Sequence, residues 1–97
     1  MEPQFKIKGK LWRYQADKAS WIFLTVDKNT SSLIKGFQGK RRGFGSVRVE
    51  VRLGESLWKT SIFPDKTGVY FLPIKKQIRE SEGIKEGDPV EASLMLI

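Results

Sequence analysis

The chain has 97 residues, a length suited to one domain, and its 18 Lys/Arg against 11 Asp/Glu give a net charge of +7. It contains no Cys and no His, which excludes disulfides and thiolate zinc sites and removes the commonest general base and metal ligand. The opening "MEPQFKIKGK" has no apolar signal core and no stretch approaches a membrane span, so a single cytoplasmic domain over 1–97, without metal, cofactor or membrane contact, is the expectation.

Residues 5–13 alternate: Phe5, Ile7, Gly9 and Leu11 fall on one face, and Lys6, Lys8, Lys10 and Trp12 on the other. That period of two predicts a strand with one basic, wetted side. "YQADKAS" reads as a turn, and "WIFLTV" (21–26) as a core strand. In "DKNTSSLIKG", Asp27 can cap a short helix, Leu33 and Ile34 can bury one side of it, and Gly36 is a natural stop. "GFQGKRRGFG" (36–45), with four glycines, three adjacent cations and two Phe, reads as a flexible loop.

The second half opens after "SVRVEVRLG" (46–54). There Val47, Val49, Val51 and Leu53 point inward, while Arg48, Glu50 and Arg52 point outward. "LWKTSIF" (57–63) and "VYFLPI" (69–74) predict two more strands, "KKQIRESEG" (75–83) a two-turn helix, and "VEASLMLI" (90–97) a last strand. About six strands and two short helices at 8–12-residue spacing predict a mostly β barrel or sandwich.

The halves also match each other. "IFLTVD" (22–27) aligns with "YFLPIK" (70–75), and in each half two strands are followed by a short helix and a strand. A pseudo-twofold β-β-α-β duplication over about 5–54 and 57–97 follows. Two such units in one chain can pair each other's edges, which predicts a monomer.

The stretch "YFLPIKKQIRESEGIKEGDPVEASL", with Pro73, Ile74, Arg79, Gly83, Ile84, Gly87, Asp88 and Val90, resembles the unit of AbrB/MazE/MraZ-type double-split β-barrels. The whole of 5–97, including "W-x-F" at 21–23 and "GSVRVEV" at 45–51, resembles a single-chain family of small bacterial and archaeal domains of unknown function. The resemblance implies a double-split barrel built by one chain and says little about activity. Thr25 stands where the first half would show the strand-end proline. Most of the motif residues have structural explanations: Pro73 and Gly83 bound a helix, Asp88 bonds local amides in a turn, and Arg79 anchors the helix to a carboxylate or carbonyl.

No carboxylate spacing or nucleophile–base pair points to catalysis. The basic features are more informative. Residues 1–60 carry 13 Lys/Arg and 5 Asp/Glu, and residues 61–97 carry 5 and 6, so the first half projects the positive field. Lys40, Arg41 and Arg42 can meet phosphates while Phe44 stacks on a base. Arg48 and Arg52 extend this face, and Lys6, Lys8 and Lys10 recur at about 7 Å. A non-enzymatic module binding nucleic acid or another polyanion is therefore expected. Two alternatives stay open: a structural or protein-interaction domain with an incidental basic surface, and a small-ligand binder or enzyme using a cleft at the split of the barrel.

Overall fold

The computed structural model describes residues 4–38 and 45–97, the side chain of Gln38 excepted. Lys40, Arg41, Arg42 and Phe44, and most of the predicted loop, lie outside the described residues. Among those described, the elements are β1 (Gln4–Lys10), β2 (Trp12–Ala16), β3 (Ala19–Thr25), α1 (Lys28–Gln38), β4 (Val47–Leu53), β5 (Ser56–Pro64), β6 (Tyr70–Pro73), α2 (Lys76–Glu82) and β7 (Pro89–Leu96). The strands form one antiparallel sheet in the order β1-β7-β4-β5-β6-β3-β2.

β1 and β2 stand at opposite ends of that order, yet only Leu11 separates them in sequence. The sheet therefore curls into a half-barrel, with its two ends joined through one residue. β5 makes the corresponding passage on the other side. It pairs with β4 over Ser56–Ile62 and with β6 only at Phe63 and Pro64. The curl encloses an aliphatic core that includes Ile7, Leu11, Leu24, Ile34, Val49, Val51, Ile62, Leu72, Ile74 and Leu94. On the strands these are the inward positions of the alternation, and Ile34 adds the buried side of α1.

The strand pairing has an internal symmetry. Exchanging β1/β2 with β5, β3 with β6 and β4 with β7 leaves the set of pairs unchanged. At the β3–β6 seam Leu24 pairs with Leu72, while Phe23 pairs with Pro73 and Thr25 with Phe71. That seam is therefore symmetric about the Leu24–Leu72 pair.

Four details differ from the sequence reading. Seven strands replace about six, because the first strand breaks at Leu11. There the Leu11 N–H donates to Asp88 O at 3.0 Å, and its carbonyl accepts Gly87 N–H at 2.8 Å. The turn at 14–20 shrinks to Asp17 and Lys18: Tyr14 pairs with Trp21 and Ala16 with Ala19, with Asp17 at φ 41. α1 does not stop at Gly36 but runs to Gln38. Pro73 ends β6 while still paired with Phe23, a position where its missing N–H costs the ladder little.

Several local readings hold. Asp27 Oδ2 accepts the Thr30 N–H at 3.0 Å as an N-cap, and that bond leads in holding its carboxyl below the ordinary value. Gly83 closes α2 at φ 66, and the Ile84 N–H reaches Arg79 O at 3.0 Å. Arg79 Nε donates to Ile74 O at 3.0 Å, and Asp88 Oδ2 accepts the Lys85 N–H at 2.9 Å.

Candidate functional surfaces

The outer face of β1-β7-β4-β5 carries the cations expected there. Lys6, Lys8 and Lys10 are exposed on β1, and Arg48 and Arg52 are exposed on β4. β7 lies between these strands. Ser93 pairs with Lys6 on one side and with Arg52 on the other. Two cations from distant parts of the sequence thus flank one small hydroxyl residue, with their backbones about 10 Å apart. Arg48 Nη1 donates to Ser61 Oγ at 3.3 Å, which holds it along the sheet. Lys59 on β5 extends the face beside Glu50.

Glu50 and Glu91 are the acids that share this face. The ion pairs found among the described residues are Arg13–Glu86 at 2.8 Å and Lys76–Glu80 at 3.9 Å. Neither engages Lys6, Lys8, Lys10, Arg48 or Arg52, although Glu91 faces Lys8 across the ladder and Glu50 stands between Arg48 and Arg52. No helix among the described residues is long and apolar enough to cross a membrane.

Phe37, expected beside the basic loop, belongs to α1 and meets Phe5 edge-on, with ring centroids 5.9 Å apart. It pins the end of α1 to the start of β1 while remaining largely exposed.

Two features escaped the sequence reading. The first is an aromatic outer face on β2-β3-β6. Trp12 lies 5.2 Å from Phe23 and 5.1 Å from Phe71, and Tyr14 lies 6.0 Å from Trp21. Trp12 Nε1 donates to Thr25 Oγ1 at 2.9 Å, which satisfies the indole. Trp12 follows the alternation of the β1 lysines, but the break at Leu11 carries it to the other wing of the sheet. The available signal was a run of outward aromatics at 12, 14, 21 and 23, spaced by two within each strand.

The second feature is a cleft of about 410 Å³ between β5, the start of β3 and the start of α2. It opens where β5 is paired with β4 and has left β6. Lys75, Lys76 and Arg79 border it. These cations sit in the half of the chain whose total charge is slightly negative, so the average over 61–97 hid them. Apart from Asp65, the acids of that half lie toward the far end of α2 and beyond. Glu82, for example, accepts the Ser56 hydroxyl at 2.6 Å and the Glu55 N–H at 3.2 Å.

Together the fold and surfaces define a small, mostly β domain with a basic wing and an aromatic wing. Residues 8–94 match the model of a domain of unknown function, DUF1905, and the chain belongs to that family. No curated protein matches the chain.

Proposed function

We propose that this domain binds nucleic acid or a similar polyanion, without catalysis, along the outer face of β1-β7-β4-β5. The observation that carries this reading is the placement of Lys6 and Arg52 on either side of Ser93, with Lys8 and Lys10 continuing along β1 and Arg48 along β4 in the opposite direction. Cations at such spacings meet successive phosphates and release counterions. Lys40, Arg41, Arg42 and Phe44 join the proposed surface on sequence grounds alone. The half-barrel is read further as a single-chain, double-split barrel of AbrB type arising by duplication. The exchange symmetry of the strand pairs supports that. We place the protein in the cytoplasm as a monomer needing no metal or cofactor.

The test is fluorescence anisotropy with labelled single- and double-stranded oligonucleotides over a salt series. Log affinity should fall linearly with log salt, by about 0.7–0.9 for each phosphate contacted. The double variant Lys6→Ala/Arg52→Ala should lower that slope by about 1–2. Binding that is absent at low salt, or unchanged in the variant, would sink the outer-face reading. An interaction domain with an incidental basic surface, using exposed Tyr14, Trp21 and Phe63, predicts the first of those failures.

A further inference from the structure

We propose that the cleft between β5 and α2 is a second site, which binds a base–phosphate unit: an aromatic base carried on a phosphorylated sugar. The proposal does not depend on the outer-face reading, because its essential groups are different ones.

The floor of the cleft follows from strand register. Trp58 and Thr60 pair with Val51 and Val49, so they share the inward face of the sheet. Both valines are fully buried, whereas Trp58 and Thr60 remain partly exposed. At this point β5 pairs with β4 and not with β6, and the side of the strand away from β4 is left open to the cleft. Trp58 packs against the core and lines the cleft as well. A second indole, Trp21, borders the cleft from the outer face, where it packs beside Tyr14, and is 46% exposed.

The wall is cationic. Lys75, Lys76 and Arg79 approach from the start of α2, with no Asp or Glu among the lining residues. The bond from Arg79 Nε to the Ile74 carbonyl fixes the plane of the guanidinium. Its terminal nitrogens make no hydrogen bond to a described residue and remain available for paired donation to an oxyanion. Lys76 stands 3.9 Å from Glu80, with both side chains largely exposed, a contact that hardly neutralises it. The cleft therefore holds uncompensated positive charge beside two indoles.

That combination selects the ligand. A bare inorganic anion would leave both indoles unused, and a neutral ring would leave the cations unpaired. A base stacked on an indole with its phosphate at the helix-side cations uses both. A volume near 400 Å³ lies within the range of small-ligand sites, roughly 300–1,000 Å³. The same unit occurs as a free nucleotide and as one unstacked residue of a single strand.

The experiment titrates the folded full chain with adenosine monophosphate, adenosine, ribose 5-phosphate and a short oligoadenylate. It follows tryptophan fluorescence and the indole N–H signals in NMR. Adenosine monophosphate should quench the fluorescence and shift the Trp21 and Trp58 signals while leaving Trp12 in place. Adenosine and ribose 5-phosphate should each bind at least about tenfold more weakly, the loss expected for one missing charged or stacking contact. Lys75→Ala/Lys76→Ala alters exposed side chains only, so it should fold normally. It should weaken the monophosphate about tenfold and leave adenosine unchanged. Trp21→Ala should weaken both.

If, in the Lys6→Ala/Arg52→Ala variant, the oligoadenylate shifts the Trp58 signal at lower concentration than the monophosphate does, the natural source is a strand; the reverse order assigns it to free nucleotide. The proposal is overturned if the monophosphate shifts neither cleft indole at millimolar concentration, or if the double lysine variant binds it unchanged. The variant Lys6→Ala/Arg52→Ala should leave monophosphate binding intact, which separates a failure here from a failure of the outer-face reading.

Discussion

Ser31 is the buried polar side chain among the described residues, and it joins three elements. Its hydroxyl donates to Val26 O at 3.0 Å, ahead of α1, and accepts the Tyr70 N–H at 3.1 Å, at the start of β6. Ser31→Ala would leave a buried N–H unpaired, at a cost of about 1–3 kcal/mol. Urea unfolding should show this loss, and Ser31→Thr should recover part of it, since it restores a hydroxyl. An alanine variant as stable as the parent would remove Ser31 from the account. Nothing in the local sequence marks this residue, because one of its partners lies 39 residues away. Asp27, Arg79 and Asp88 were legible for the opposite reason: their partners lie within five residues, where cap and turn chemistry operates. Glu82 is hidden like Ser31, since its partners Glu55 and Ser56 lie in the turn between the two halves and at the start of β5.

At the scale of elements, β4 and β7 were plain in the sequence because alternation is a local property of a strand wetted on one side. The break at Leu11 was not, because the groups that draw its backbone out of the ladder are Gly87 and Asp88. Helix α1 passes Gly36 for a related reason. A glycine permits a stop without enforcing one, and the contact of Phe37 with Phe5 lies beyond it. The β3–β6 seam gives a direct test of the internal symmetry. Leu24 and Leu72 face each other there, both fully buried. Leu24→Ala and Leu72→Ala should each destabilise by about 2–5 kcal/mol. As contacting residues, they should couple in the double variant by about 0.5–3 kcal/mol. Denaturant midpoints measure all three, and a cost below about 1 kcal/mol for either single variant would contradict the shared seam.

At the scale of the whole molecule, the curl does what composition cannot foretell. It sets β7 between β1 and β4, so that the basic stretches at 6–10 and 48–52 become one surface. It also draws the cations of α2 to the indoles of β3 and β5. The charge excess of the first half was visible in the sequence. The cleft was not, since its residues come from three separated stretches whose meeting depends on where β5 leaves β6. Salt should act unequally on the two proposed sites. An extended phosphate track weakens steeply with ionic strength. A cleft that also stacks a base retains more of its affinity, so monophosphate titrations at two salt concentrations should change less than oligonucleotide binding does. Equal salt sensitivity would argue for a purely electrostatic cleft.

The exchange symmetry bears on connectivity as well as on packing. Gln4 pairs with Met95 at the outer rim, one strand spacing away, or about 5 Å, while the two halves meet in the exposed turn at Gly54 and Glu55. A circular permutant closed by a short linker at the rim and opened at that turn would read the second half first and keep every strand pair. Because exchanging the halves maps the strand-pair list onto itself, such a chain would be making the same sheet from its other starting point. Which half comes first is, in this architecture, a property of the gene rather than of the fold.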